Sequence, residues 1–447
     1  MANIDVVVIG AGAAGMLAAA RAALRHDRVV LLEKNRKAGV KILMSGGTRC
    51  NITQATDRRG IGTAFGSQGS FLHSALAALG PDELVALFNA AGVATKVEPT
   101  GKVFPASDRA IDVRDALLEM LRQAGAELRL GEAVLGIHKI PLPVLWEGLG
   151  EGSQESEEII PLPVQCAPPL APPQSTEEGD FLIRTERGEI TARKIILTTG
   201  GQSYPGSGTT GDGYAWAKQL GHSIVPPRPA LVPLRSPATW VHELSGVTIP
   251  DVRMQIIRGD AKKPLAERRG SFLFTHFGLS GPTTMDVSRA VTTEPDATDW
   301  LAVCDFLPAT TREQLVEAIA QEATANGKRP INALVGEWLP RRLADALLTQ
   351  AGIALDQRIA ELGKVQRNKL VDAIKQQAIP VNGTLGFKKA EVTAGGVSLT
   401  EVDSRSMQSK LVPGLFLAGE ILDLDGPIGG YNFQAAFSTG WLAGESV

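Results

Sequence analysis

Cysteine, histidine, aromatic residues and any surplus of charge are all scarce in this chain. The three cysteines, Cys50, Cys166 and Cys304, are odd in number and far apart. That excludes a disulfide framework or a Cys-x-x-Cys zinc site and best fits a reducing cytoplasm. The six histidines show no paired ligand spacing, so no metal is expected. Lys and Arg number 45 against 48 Asp and Glu, a net charge of −3. No basic field therefore invites nucleic acid or an anionic membrane. No uninterrupted apolar run reaches the ~20 residues of a membrane helix, because three glycines break the one from Val6 to Ala20. The chain starts almost directly with its first strand, so no signal peptide is expected. A cytoplasmic protein acting on a small molecule is the expectation, with its oligomeric state open. Lys and Arg are absent from Ile140 to Ile183, where Pro and Glu dominate and the pentapeptide IPLPV occurs twice, at Ile140 and Ile160. Such composition buries little apolar surface, so residues 141–176 are expected to be a solvated loop in a β-meander.

What is present is concentrated first in Ile4 to Glu33, a buried strand, a glycine turn, a small-residue helix and a second strand. The turn reads Gly10-Ala11-Gly12-Ala13-Ala14-Gly15. In this pattern the first glycine permits the turn, the second lets a pyrophosphate approach, and the third packs helix on strand. The helix starts here, so its free N–H groups and positive dipole end face the phosphates. Glu33, 23 residues after Gly10 and followed by Lys34, is placed to accept hydrogen bonds from an adenosine ribose. Strand, spacing, helix and acid agree on a bound dinucleotide. Beyond it, Lys41 and Arg49 bracket Ser45-Gly46-Gly47, with Cys50, Asn51 and Thr53 following, a second loop rich in backbone donors and positive charge.

The 447 residues suffice for two or three domains. Helices are expected over about Ser70 to Gly92, with a break at Gly80-Pro81, and over Asp112 to Gly125 with Asp112 as N-cap. Short strands come next, in Glu127 to Ile140 and Phe181 to Gly201, turning at Arg187-Gly188. The strand Lys194 to Thr198 ends in Thr199-Gly200-Gly201, small enough to let a flat ligand approach. Gly206-x-Gly208-x-x-Gly211 repeats the fingerprint spacing. It is discounted as a second nucleotide site because no βαβ unit surrounds it, and is expected to lead into a helix Asp212 to Leu220 capped by Asp212. From Pro226 to Pro308 alternating strands suggest an antiparallel barrel or sandwich. Thr311 to Gln377 reads as helical, Ala390 to Ser398 as strand, and the end of the chain as a strand, an acidic turn, a diglycine and a closing helix.

Four pieces together carry a resemblance: GAGAAG with Glu33, SGGTRCN at Ser45 to Asn51, TTGGQSYPGSGTTGDGY at Thr198 to Tyr214, and LAGEILDLDGPIGGYNFQAAFSTG at Leu417 to Gly440. Their combination resembles the flavoproteins related to the bile-acid dehydro-reductase BaiN, also labelled aminoacetone-oxidase-like or NAD(P)/FAD-dependent oxidoreductases. The proline-rich insertion after Ile140 departs from that pattern. The resemblance implies an α/β fold with a Rossmann-like, glutathione-reductase-type FAD-binding domain, an inserted antiparallel β-barrel-like domain and a helical subdomain. The expected extents are residues 1–204, 205–310, 311–378 and a return over 379–447. It also implies noncovalent FAD, with NAD(P)H as electron donor. Gly10 to Gly15 would hold the pyrophosphate and Glu33 the adenosine ribose, with Thr199 and Gly200 near the adenosine side; Lys34, Val134 and Gly201 are further expected cofactor contacts. Lys41, Ser45, Gly46, Gly47, Arg49, Cys50 and Asn51 would line the ribityl and isoalloxazine strip. Gly419 and Glu420 fall at the ribityl or diphosphate region, and Gly429, Gly430, Tyr431 and Asn432 at the flavin ring. There a helix N-terminus stabilises the charge of reduced flavin. Tyr431, His276 and Tyr204 are the candidate proton donors or orienting groups, although His276 in FTHFGLSG reads more readily as a satisfied core histidine than as a catalytic one. Hydride transfer between NAD(P)H, flavin and an enone or keto compound is the leading expectation. An amine oxidase using oxygen, or a flavin-bearing RNA-modifying protein, are the alternatives.

Overall fold

The computed structural model describes residues 4–140, 180–259, 261, 263–294 and 296–447. The loop expected over 141–176 lies outside the described residues. Seven strands form the larger sheet, in the order Glu127–Leu130, Val29–Glu33, Ile4–Ile9, Gly188–Leu197, Phe181–Thr185 and Val134–Lys139, with Leu415–Leu417 also paired to Gly188–Leu197. The first unit is β1 (Ile4–Ile9), α1 (Ala13–Ala23) and β2 (Val29–Glu33). β1 runs parallel to β2 on one side and to Gly188–Leu197 on the other. Val6, Val7 and Val8 are wholly buried, as a parallel strand covered on both faces requires.

The parallel register brings the carboxyl ends of four strands to one edge. Ile9 pairs with Leu32 and Leu197, and Leu197 with Leu417. The segments leaving these strands, at Gly10, Lys34, Thr198 and Gly419, therefore converge, and ligands of open α/β sheets bind outside such ends. The closing helix Tyr431–Ser446 packs along α1. The expected meander is present as two antiparallel pairings, with the turn between Thr185 and Gly188.

The second sheet has six antiparallel strands in the order Leu234–Arg235, Gly278–Ser280, Ala266–Thr275, Thr248–Arg258, Trp300–Asp305 and Gln377–Val381. Its two ends meet. Arg235 N–H donates to the Gly383 carbonyl at 2.8 Å, Asn382 N–H donates to the Arg235 carbonyl at 3.1 Å, and Leu234 bridges Thr384. These bonds give the barrel-like closure. Helices Arg312–Ala325, Ile331–Trp338, Arg341–Gln350 and Lys364–Lys375 share one apolar cluster with this sheet, including Phe272, Phe274, Trp300, Phe306, Leu343 and Leu370. Thr311 caps the first of them in a reciprocal capping box with Gln314, which satisfies two otherwise orphan donors. Ile224–Ala230 pairs with Val392–Val397 where the chain leaves and re-enters the larger sheet's half.

Three local expectations are corrected. Asp112 is not an N-cap: the helix runs Ala110–Ala124 from Arg109, and Asp112 sits in its first turn, accepting from Ser107 Oγ at 2.6 Å. Asp212 is likewise the first helical residue, with Gly211 as cap. A helix, Pro282–Thr293, interrupts the stretch read as strands, with proline at the first helical position, where the N–H it lacks would have no intrahelical partner. Among the described residues no single helix is long and apolar enough to cross a membrane.

Candidate functional site

A cavity of ≈ 620 Å³ runs along the converging strand ends. Its floor is the glycine turn. Gly10 has φ +104°, and a Cβ on Gly15 would stand 1.9 Å from the Gly10 carbonyl oxygen; only glycine lets α1 start this close to β1. Thr198 Oγ1 donates to both the Ile9 and Gly10 carbonyls at 2.9 Å and locks the turn. Gly12 is different: a Cβ there would meet nothing within 4 Å, so space remains above it for a ligand. α1 then begins at Ala13 with no side chain capping its N-terminus.

At one end the cavity is lined by Glu33, Lys34, Glu132, Ala133, Val134, Ser207 to Thr210, Asp212 and Trp216. Glu33 accepts from Ala11 N–H and Asn35 N–H, both at 2.8 Å. Each carboxylate oxygen keeps a second lone pair for a ribose hydroxyl. Lys34 bonds Thr210 Oγ1 and Asp212, tying the β2 end to the loop on the opposite wall. In the middle Lys41 pairs with Glu420 and bonds Ser203 Oγ at 2.6 Å, while Glu420 also accepts from Ser203 Oγ and Thr393 N–H. Gly419 N–H is committed to Thr439 Oγ1 at 3.0 Å. Here the sequence residues meet, but their charges are spent on one another.

The other end gathers Met44 to Gly47, Arg49, Asn51, Lys102, Phe104, Leu231, Lys389, Glu391, Ile428 to Gly430, Asn432 and Phe433. The Arg49 guanidinium stacks 4.0 Å over Phe104 and bonds Glu98 at 2.6 Å. The closing helix begins from Gly430 at φ +94°, a position where a Cβ would strike the Thr53 carbonyl at 2.5 Å, and its first turn faces the cavity. Asn432 fastens the preceding loop by bonding both the amide and the carbonyl of Gly426. Nearby, burial raises the carboxyls of Asp286 and Glu391 above the usual carboxylate range.

Of the sequence-derived residues, Gly15, Cys50, Gly201, Tyr431 and His276 do not line the cavity. Gly15 acts in packing. Cys50 is fully buried at φ +61°, and enclosure pushes its thiol up to about 12, the reverse of a reactive thiolate. Gly201 abuts Thr393 and Glu420. Tyr431 is half-buried with its ring against Gly429, and His276 is neither core nor site but an exposed turn residue beside Phe277. Tyr204 does line the cavity, held at φ +56°. Sequence reasoning missed Lys102, Phe104, Lys389 and Glu391. They come from segments brought in by the smaller sheets; the sole trace is a charged residue, Glu391, placed directly before the fully buried strand Val392–Val397.

A second constellation mimics a nucleophile triad: His222 lies 2.8 Å from Ser409 Oγ and 3.1 Å from Glu401. All three are away from the cavity, and Ser409 Oγ also accepts from Leu411 and Val412 N–H. The trio is a cross-tie between loops.

The cavity fits an extended dinucleotide. Asn51 and Thr199 line it, and the Oδ1 of the first and the Oγ1 of the second are buried beside it with no hydrogen-bond partner, an arrangement that costs stability. Together with the open space over Gly12 and two uncapped helix N-termini, they suit a group with a diphosphate and a polar ring.

The profile of the HI0933-like protein Rossmann domain matches residues 4–145 and 169–446, passing over 146–168 within the proline-rich stretch. The chain is 30% identical over 451 residues to the ribosomal RNA dihydrouridine synthase of Escherichia coli, covering 100% of this chain and 98% of that one. It is also 30% identical over 445 residues to the 3-dehydro-bile acid delta(4,6)-reductase of Clostridium scindens, covering 98% of each. Among solved structures, 3-ketosteroid delta1-dehydrogenase from Sterolibacterium denitrificans is similar at 12% identity and a TM-score of 0.49, covering 99% of both chains. The chain therefore belongs to the HI0933-like family of Rossmann-type, FAD-binding oxidoreductases.

Proposed function

We propose that the protein binds FAD noncovalently and adds hydrogen across a carbon–carbon double bond conjugated to a carbonyl, with NADH or NADPH as electron source. FAD would lie with its adenosine toward Glu33 and Val134, its diphosphate over Gly10 to Ala14, and its ring toward Gly46, Asn51 and Gly430; when bound it supplies the hydride. The observation that carries the reading is the chemistry of the ring end, where the cations Lys102 and Lys389 and the acid Glu391 line the cavity. A cation stabilises the oxygen that gains charge as such a bond is reduced, and an acid completes the addition. Both named relatives agree with this class. Dihydrouridine is uridine with its C5–C6 bond saturated, a bond conjugated to the C4 carbonyl, and a delta(4,6)-reductase of a 3-dehydro bile acid acts on bonds conjugated to a ketone.

The first reading of the substrate is a uracil base in ribosomal RNA. Lys389 at the cavity and exposed Lys388 beside it suit the phosphates flanking a base turned out of its stack. The net charge of −3 speaks against broad adhesion to nucleic acid, not against one base entering a cleft. An apolar enone is the second reading, favoured by Met44, Leu231, Phe104, Val392 and Ile428 in the lining. The test is anaerobic: FAD-loaded protein reduced by NADPH or NADH is mixed with ribosomal RNA lacking dihydrouridine, or with a 3-oxo-delta(4) steroid. Flavin reoxidation with dihydrouridine in the RNA supports the first reading, and saturated steroid the second. Reoxidation by neither, but by oxygen with an amine as reductant, would refute both.

A further inference from the structure

Glu391 and Lys102 come from different elements. Glu391 precedes Val392–Val397, which pairs with Ile224–Ala230, and Lys102 opens the strand Lys102–Pro105. Both line the cavity at its ring end. Glu391 is open to the cavity, yet protein surrounds it closely enough for desolvation to raise its carboxyl, the largest influence on it. Lys102 and Lys41 act to lower it, and Asp286 to raise it further; Lys389 lies two residues away on the same segment. Asp286 is occupied, accepting from Ile428 N–H at 2.8 Å with Arg268 at 3.9 Å. Among the described residues, neither the Glu391 carboxyl nor the Lys102 ammonium makes a hydrogen bond or a close ion pair. Two opposed, uncommitted groups thus face the space where a substrate would meet the flavin ring. This contrasts with Lys34, Lys41, Arg49 and Glu420, which are all satisfied by protein.

We infer that Glu391 is the proton donor of the reduction, and that Lys102, on the same stretch of cavity wall, faces the substrate carbonyl. The inference rests on the reduction proposed above. In balance, FAD held along the cavity and reduced would supply a hydride for a C–H bond at the β-carbon, the π bond breaking toward the carbonyl oxygen. The Glu391 proton then forms the C–H bond at the α-carbon and the carbonyl is restored. The carboxylate left behind regains its proton from water, and the nicotinamide nucleotide replaces the two electrons. Glu391 must be protonated for this, so the rate of substrate reduction falls as pH rises through its titration. A positive Lys102 holds that titration lower than it would otherwise be.

The experiment uses the FAD-loaded full chain, pre-reduced without oxygen, with whichever conjugated substrate the native protein reduces. Glu391→Gln should bind FAD as the native protein does and accept electrons from the nicotinamide nucleotide normally. It should reduce substrate ~10²–10⁴-fold more slowly, the usual weight of a general acid, and lose the alkaline limb of the pH profile. Lys102→Met should keep that limb but move it upward by about one pH unit, since an opposing charge is removed. Infrared difference spectra of the native protein taken on the acid side of that limb should show a protonated carboxylic acid that disappears across it and is missing in Glu391→Gln. Native rates and an unchanged profile in Glu391→Gln overturn the assignment while leaving the reduction intact. Failure of the native protein with every conjugated substrate sinks the reduction as well. Should Glu391→Gln not fold, an unmoved limb in Lys102→Met overturns the inference.

Discussion

At the adenosine end and centre of the cavity, charged side chains are held by protein partners: Glu33 by two amides, Lys34 by Asp212, Lys41 by Glu420. At the ring end Lys102 and Glu391 stand uncommitted, and Asn51 Oδ1 is buried without a partner. The charges of the first end are paired before any ligand arrives, and it presents chiefly backbone, glycine turn and helix N-terminus. The second end has the unspent groups that chemistry needs. Buried polar groups without partners cost ~1–3 kcal/mol each, so a chain tolerates them where binding or catalysis compensates. A similar contrast separates the two glycine segments. Gly10 to Gly15 and Gly206 to Gly211 share one spacing, but only the first joins a strand to a helix. The second forms the short turn Pro205–Ser207 and lines the same cavity from the facing side through Ser207 to Thr210. The spacing is therefore not the binding device; the strand–turn–helix around it is.

The sharpest way to break that comparison is Gly15→Ala. Its Cβ would overlap the Gly10 carbonyl oxygen at 1.9 Å and Thr198 Oγ1 at 2.5 Å, contacts that backbone cannot yield without moving α1. We expect a loss of ~3 kcal/mol or more, the scale of severe overpacking, with little soluble FAD-loaded protein. Gly206→Ala meets nothing within 4 Å and should stay within about 0.5 kcal/mol of the native protein, as surface substitutions do. Thermal unfolding and flavin content read both. Equal damage at the two positions would mean that spacing, not context, carries the function.

Next in size is Lys41→Met at the finished end. It leaves the Glu420 carboxylate, a fifth exposed, with only Ser203 and Thr393 N–H. Breaking a buried pair from one side costs up to ~3–5 kcal/mol; with this partial exposure we expect about 2 kcal/mol, and a comparable loss of FAD affinity. Unchanged stability with weakened FAD binding would show instead that Lys41 serves the cofactor directly, and that the two ends are less distinct than the pairing suggests.

This division explains what the sequence made legible. The cofactor end obeys local rules, strand then glycine turn then helix then acid, all within thirty residues, and Gly10, Gly12, Glu33 and Gly430 lie on the cavity as the pattern requires. The closing helix was readable because a diglycine precedes an apolar run. Lys102, Lys389 and Glu391 belong to no local pattern. They reach the cavity because a hairpin near residue 100 and the strand beginning at Val392 fold back over it, and such long-range pairing leaves no period or motif. Cys50 misled for the opposite reason. It sits between two cavity residues, Arg49 and Asn51, yet its positive φ turns the side chain into the core.

The smallest expected effect concerns Asp425, in the loop between Leu424 and Ile428 that walls the ring end. It is buried beside Arg289, at 3.2 Å, with its Oδ1 unpartnered. Burial pushes its carboxyl up to about 6, against the pull of Arg289. The folded protein thus holds this proton more tightly than the unfolded chain, whose aspartates titrate near 3.8. The stability it contributes is complete below about pH 4 and is lost as pH rises through about 6. The upper limit, at 1.36 kcal/mol per unit, is about 3 kcal/mol; the half-exposed Arg289 keeps some attraction, so we expect about 1–2 kcal/mol. Asp425→Asn is neutral throughout and should gain on the native protein by that amount at pH 8 while matching it only below about pH 4. Comparing the two proteins at each pH cancels other titrating groups, such as His222. If the asparagine variant gains nothing at pH 8, the ion pair outweighs the burial. Asp425 would then belong with the satisfied charges of the finished end rather than with the unspent ones of the other.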